Sequence, residues 1–302
     1  MTATVLSEVA IPGLPSASGI EIIGDTAYVI GDDTAFLHLL AARTLAPAGS
    51  VRLFAFGPDG PARVPKREKP DLECMAALTW PDGRAGLLLL GSGSLDNRAR
   101  GWFVPTAAGA TEASPEPLDL APLYALLRPH LPVGVVLNLE AAATTDAELL
   151  LLQRTVGRAD AALLFRLPLA AALAFINDSA STAPAVQPLL FQLPFIDGHP
   201  AGFSGATFVD GKLLVTASVE DTADAMLDGA VLGSYIGVLS LEAQTAVFAR
   251  LAWADGRPYQ GKVEGLAVRQ SARPGQWELL LVTDDDAGGS TAVVAEVAHI
   301  EA

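Results

Sequence analysis

Apolar residues in this chain come in short, nearly unbroken runs bounded by Gly, Asp, Pro and Ser, the pattern of strands and tight turns. Residues 202–221 state it most fully. An apolar run reaches Val209, Asp210-Gly211 follows, and a second run ends in Glu220 and Asp221. Asp-Gly between two such runs predicts a hairpin, because both central residues of the favoured turn need positive φ.

The same sentence recurs. Residues 18–23 and 27–33 flank a Gly24-Asp25 turn; 72–78 and 87–92 flank Pro81-Asp82-Gly83; 139–143 and 149–154 flank Thr145-Asp146; 263–268 and 279–286 flank a longer turn through Pro274-Gly275. Each unit continues with two more strand-like runs, 234–239 and 246–251 in unit four, 161–165 and 186–191 in unit three. Four strands per unit, repeated at a period of roughly 60 residues, is the signature of a β-propeller. The predicted fold is all-β, a single five-bladed propeller with blades near 12–60, 70–120, 136–195, 202–255 and 260–302. Unit five supplies only three strands, so the N-terminal run 3–11 is assigned as its outer strand, closing the ring and removing two exposed sheet edges. One segment departs from strand patterning. Leu120, Leu123, Tyr124, Leu127 and Leu131 fall at helical spacing, which predicts a short helix over about 118–131, inserted between blades two and three, either covering a blade end, the favoured reading, or acting as a functional lid.

Composition narrows the partners. The chain has 302 residues, 51% of them hydrophobic and 18% charged, with a formal net charge of −15. A protein of that charge repels nucleic-acid backbones and anionic membrane surfaces, so neither is expected as a partner. One cysteine, Cys74, excludes an intrachain disulfide framework and a multi-cysteine zinc site. The start has neither the basic residues nor the apolar core of a signal peptide, and no run approaches the ~18–20 apolar residues of a membrane span. A cytoplasmic location is the expectation; the sequence does not speak to oligomeric state.

The first strand of each propeller blade lines the central channel. Aligning the five units puts Ser18, Glu73, Glu140, Ser204 and Glu264 at one level. Three close, desolvated carboxylates repel one another and need a countercharge. A hard cation fits, since calcium takes about 6–8 oxygen ligands. The ring has no histidine or thiolate, which argues against zinc or copper. Cys74 adjoins Glu73 but faces the other side of its strand.

The order Ser, Glu, Glu, Ser, Glu over five inner strands resembles the calcium-activated nucleotidases (soluble apyrases), as do Gly202-Phe203-Ser204, Val263-Glu264-Gly265 and the acidic turn Asp32-Asp33-Thr34. The resemblance implies a five-bladed propeller with a central Ca2+ held by Ser18, Glu73, Glu140, Ser204 and Glu264, and hydrolysis of phosphoanhydrides. Where that family has a Lys-Glu-Trp-type loop after unit two's second strand, this chain has residues 92–98. The family's paired arginines in unit three stand here as Gln153-Arg154.

After its second strand each unit turns at the same end of the ring. These turns carry the candidate catalytic residues Asp32, Asp33, Arg98, Arg154, Glu220, Asp221, Asp284 and Asp285. Arginines there would hold a small anionic or ester ligand while carboxylates act as acid–base groups or orient water. Two classes of function follow. One is a metal-dependent hydrolase of phosphoanhydrides or esters at the channel mouth. The other is a non-catalytic ligand-binding or scaffold propeller with a purely structural calcium. A lactonase- or phytase-like esterase propeller is a third reading, disfavoured by a count of five units.

Overall fold

The computed structural model describes residues 1–56, 63–106, 114–155, 158, 162–222, 229–285 and 288–299. Strand β1 (Thr2–Ala10) opens the chain, and four antiparallel strands then make each blade. Blade one is β2 (Ala17–Ile23), β3 (Thr26–Gly31), β4 (Phe36–Ala41) and β5 (Pro47–Arg52). Blade two is β6 (Leu72–Thr79), β7 (Ala85–Gly91), β8 (Arg100–Pro105) and β9 (Glu116–Asp119). Helix α1 (Ala121–Leu127) leads to blade three: β10 (Leu139–Thr144), β11 (Glu148–Gln153), β12 (Leu163–Pro168), helix α2 (Leu169–Asn177) and β13 (Gln187–Leu190). A small hairpin, β14 (Phe195–Ile196) and β15 (His199–Pro200), precedes blade four: β16 (Gly202–Val209), β17 (Lys212–Asp221), β18 (Ala230–Ser240) and β19 (Thr245–Arg250). After β20 (Ala252–Trp253) come β21 (Lys262–Arg273), β22 (Gln276–Asp284) and β23 (Ser290–Ala298) of blade five.

The ring closes as the strand count requires. β1 pairs antiparallel with β23, from Thr2 opposite Ala298 to Ala10 opposite Thr291, and so becomes the fourth strand of blade five. The innermost strands touch in cyclic order, β2, β6, β10, β16, β21 and back to β2. The protein is a five-bladed β-propeller.

Why the second strands are apolar without alternation is now clear. Both faces of a blade are buried, each against a different neighbour. On β7, Leu88 and Leu90 enter the layer shared with blade three while Leu87 and Leu89 enter the layer shared with blade one. On β11, Leu149 and Leu151 face blade two while Leu150 and Leu152 face blade four. The core is thus five wedges of side chains between blades. Asp210 (φ 52) and Gly211 (φ 74) make the left-handed turn expected of Asp-Gly, with Val209 paired to Lys212.

The helix near 118–131 is shorter at its start than its periodicity predicts. Leu118 and Asp119 belong to β9, because blade two needs an outer strand, and the Asp119 carboxylate accepts the Ala121 amide at 3.0 Å. Leu123, Tyr124 and Leu127 fill the wedge between blades two and three together with Leu173 and Ile176 of α2. The Tyr124 hydroxyl donates to the Gly91 carbonyl at the end of β7. Helix α1 is a built-in cover of blade ends. Among the described residues no helix is long and apolar enough to cross a membrane.

Two half-buried titratable groups tie stability to pH with opposite signs. Burial pushes the Glu21 carboxyl on β2 up to about 7 and pulls the His38 imidazole on β4 down to about 4. Folded Glu21 keeps a proton that the unfolded chain has lost, so its contribution to stability declines as pH rises from about 4.5 to 7. Folded His38 has lost a proton that the unfolded chain holds, so its contribution grows as pH rises from about 4 to 6.5. Glu21→Gln is therefore expected to gain more stability between pH 5 and 7 than the wild type, and His38→Gln to gain less, each by at most about 3 kcal/mol. Urea melts of the three proteins across that range check the signs.

Candidate functional site

The five residues aligned by sequence share one backbone feature. In every blade the register between the first and second strands skips one residue: between Ala17 and Gly19, Leu72 and Cys74, Leu139 and Ala141, Phe203 and Gly205, and Val263 and Gly265. The skipped residues are Ser18, Glu73, Glu140, Ser204 and Glu264. Each is the extra residue of a β-bulge, which bends the strand and re-aims a side chain. The residue after each bulge is small, and for a reason of space. A Cβ on Gly265 would lie 2.9 Å from the Gly19 Cα, and one on Gly205 would lie 3.0 Å from the Gly265 Cα. Cys74 follows the same rule and is fully buried in the wedge between blades two and three.

Ser18, Glu73, Glu140 and Glu264 line a central cavity of about 10 Å³, floored by apolar residues such as Met75 and Leu266. That is room for about one water or one small ion. Ser204 is not among its lining residues. Fully buried, its hydroxyl donates to Thr216 Oγ1 at 3.1 Å and lies 3.3 Å from Ser218 Oγ, part of a hydroxyl chain inside blade four that runs on to Ser234. The Ser18 hydroxyl donates across to the Leu72 carbonyl beside Glu73.

Above this level the strand register defines two more rings. Two residues before the bulges stand Ser16, Asp71, Asn138, Gly202 and Lys262; opposite them, on the second strands or just past their ends, stand Asp32, Ser92, Arg154, Ser218 and Asp284. Here the chain supplies its own cations. Arg154, nearly buried, pairs with Glu140 at 3.2 Å, with Glu264 at 3.5 Å and most closely with Glu220. Lys262 reaches Glu264 at 3.0 Å and Glu220 at 3.5 Å. Asn138 donates to the other oxygen of Glu140 at 2.6 Å. Gly202 makes this possible, since a Cβ there would lie 2.8 Å from the Arg154 Cγ.

A second group forms on blades one and two. Asp71, in the left-handed region at φ 56, accepts from Arg98 at 2.7 Å and from the Ser92 hydroxyl at 2.6 Å, and pairs with Lys69 at 2.7 Å. Lys69 also pairs with Asp32, and Arg63 pairs with Asp33. Oxygens of Asp32, Asp71 and Glu73 lie within 4.8 Å of one another, close enough to share a metal ion. Asp71, Lys69 and Lys262 escape a reading of the sequence by motif because they precede the repeated apolar runs. Their one signal is register, as residues two or four positions before a bulge glutamate.

Burial dominates the electrostatics. It pushes the Glu140 carboxyl to about 7, against the pull of Arg154 and with the push of Glu264. Burial likewise drives Glu73 well above the carboxylate range, reinforced by Glu140, Asp71 and Asp32 and only partly countered by Lys69. One oxygen each of Glu264, Asp32 and Asp33 is buried without a hydrogen-bond partner.

The remaining candidates are placed as follows. Asp284 lines a mouth cavity of about 340 Å³ together with Asp32, Asp33, Arg63, Lys69 and Lys262. Asp285 accepts the Gly289 amide at 2.7 Å. Asp221 is turned outward, 60% exposed, and pairs with His199 at 3.3 Å.

Removing Arg154 leaves three buried carboxylates with only Lys262 and Asn138 to compensate them. Arg154→Met is expected to cost on the order of 3–5 kcal/mol of unfolding free energy, the range for breaking a buried ion pair from one side. Chemical denaturation measures it; a loss below about 1 kcal/mol, as for exposed pairs, would refute the role given to this side chain.

No curated protein matches the chain. Among solved structures it is similar to the crystal structure of Myxococcus xanthus glutaminyl cyclase, at 12% identity and a TM-score of 0.50, over 99% of this chain and 98% of that one. It is also similar to the tail fibre of Staphylococcus aureus phage P68, again at 12% identity and a TM-score of 0.50, over 97% of this chain and 53% of that one. At such identity both likenesses show the fold alone. A family model matches residues 13–297, and on that match the chain belongs to DUF6929, a family of unknown function.

Proposed function

We propose that this protein is a ligand-binding propeller whose ring is fastened at the axis by one divalent cation, calcium by preference. The carrying observation is how the ion pairs divide. Arg154 of blade three binds Glu220 of blade four and Glu264 of blade five, so those blades are tied to one another. Lys69 binds Asp32 of blade one and Asp71 at the head of blade two, tying that pair. Between the two groups Glu73 and Glu140 both line the central cavity, and Glu140 raises the proton affinity of Glu73. A divalent ion there would convert a repulsion into a link between the groups.

The residues present fit such an ion. Glu73, Glu140 and Glu264 offer carboxylate oxygens and Ser18 a hydroxyl. The buried Glu264 oxygen that lies 3.5 Å from Arg154 makes no hydrogen bond among the described residues, so a closer cation would complete it. All are hard oxygen ligands, which suits calcium. When bound, the ion would neutralise charge and cross-link strands; Ser204, engaged inside blade four, would stand aside. In excess calcium the melting temperature is expected to rise by roughly 3–8 °C over chelated protein, the range for ligand at about a hundredfold over Kd. Glu73→Gln should abolish that dependence. Melting that ignores chelation, with no ion found by elemental analysis, would reject the axial cation.

Binding, more than turnover, is what the mouth supports. Asp32, Asp33, Arg98, Arg154 and Glu220 are all engaged in ion pairs with their own chain. The mouth cavity, where Arg63, Lys69 and Lys262 stand among Asp32, Asp33 and Asp284, would take a small anionic or ester ligand. The hydrolase reading rests on the resemblance to calcium-activated nucleotidases. It requires phosphate release from nucleoside diphosphates in the presence of calcium; a rate no higher than the protein-free blank is the expected result.

A further inference from the structure

We infer that a second binding site, for a small organic cation such as a quaternary ammonium compound, lies in a radial groove over blade five. The groove is about 730 Å³, the size of a small-molecule site. It spans the end of the blade from Glu8 on the outer strand, past Thr291 and Thr283, to Lys262 at the channel, walled by the segment from Trp253 to Gly261. It is separate from the axial cavity and shares only Lys262 and Asp284 with the mouth cavity.

Its walls are built and held. Trp253 and Tyr259 meet edge to face with ring centroids 5.9 Å apart. A tight turn fixes Trp253, its amide donating to the Arg257 carbonyl at 2.8 Å and its carbonyl accepting the Gly256 amide at 2.9 Å. Tyr259 is 6% exposed; its hydroxyl bonds Glu8 and Thr283, and its ring occupies the space that a side chain on residue 261, a glycine, would need. A preformed wall of this kind lowers the ordering cost of binding.

The chemistry selects the ligand. Glu8, Asp284 and Asp285 line the groove with Arg257 and Lys262 as the cations among the described residues. Arg257 pairs with Asp255 at 2.7 Å, outside the lining, and Lys262 with Glu264 and Glu220 at the axis. By its lining the groove holds three acids against two bases, in a chain of net charge −15, and an anion is disfavoured. Carboxylates beside the half-buried Trp253 ring, which Tyr259 holds in place, are surroundings in which a cation gains both ion pairing and attraction to a ring face.

The test uses the chain's own reporter. Trp80, Trp102 and Trp277 are 4%, 6% and 1% exposed, so Trp253 is the half-buried tryptophan that reports on the groove. Choline is titrated into the full chain, with calcium and with chelator, against its neutral carbon isostere dimethylbutanol, N-acetylglucosamine and ADP. Saturable fluorescence change is expected with choline in either buffer, with the isostere weaker by about tenfold or more. Glu8→Gln, which keeps an acceptor for the Tyr259 hydroxyl, should weaken choline by about tenfold with an unchanged melting temperature. Trp253→Phe should remove the optical signal and keep the heat of binding in calorimetry. Equal affinity for choline and its isostere, a response to the sugar or ADP alone, or no saturation with choline would overturn the assignment. The outcome does not depend on the axial ion, whose own test is the response to chelation.

Discussion

Burial of like charges at the point where five strands converge is the constraint on which the rest of this molecule depends. The strands approach so closely that Gly265 touches Gly19, and Gly205 touches Gly265, backbone to backbone. Bulges at that level then aim side chains at the axis, and three of the five are glutamates. Desolvated carboxylates are tolerated only with partners, and losing one partner costs more than the pair contributes. Everything nearby answers that demand. Gly202 is bare so that Arg154 can pass, Asp71 adopts a left-handed backbone at the meeting point of Lys69 and Arg98, and Asn138 occupies the second oxygen of Glu140.

The ring position and the charge network were not equally legible in the sequence. The ring was readable because it repeats: the same apolar run, the same turn and the same polar residue near the run's start. The strand count even located β1 in blade five, since an open blade would leave two edges. The bulges themselves have no sequence signature beyond a polar residue followed by Gly, Ala or Cys, yet they are what makes the five residues equivalent. Helix α2 was not foreseen. Leu-Ala-Ala-Ala-Leu-Ala-Phe-Ile-Asn follows directly on a strand-like apolar run, and its alanines, good helix formers, are the local hint that the chain turns helical after Pro168.

The network was illegible because it is made of residues far apart in the chain whose pairing depends on closure of the ring. Arg154 and Glu220 are separated by 66 positions, and no local pattern joins them. Lys262 and Asp71 lie just before the apolar runs, where polar residues are ordinary. Ser204 is instructive in the other direction. Its bulge is the same as that of Glu140, yet Thr216 and Ser218 on the paired strand take up its hydroxyl, whereas the strand paired with Glu140 presents Arg154. The position is set by the fold, the engagement by the neighbour.

That separation bears on what similarity can say about function. At 12% identity a shared fold says nothing about which charges stand at the axis. What distinguishes this molecule is which cations are already supplied from within. Arg98 and Arg154 stand where arginines could hold a ligand's anionic group, but here each is committed to acids of its own chain. A ligand recruiting Arg154 would first have to displace it from Glu140, Glu220 and Glu264, leaving those carboxylates buried and unmatched. The cost of such an exchange favours a mouth that binds around an intact network over one that rearranges it during a reaction.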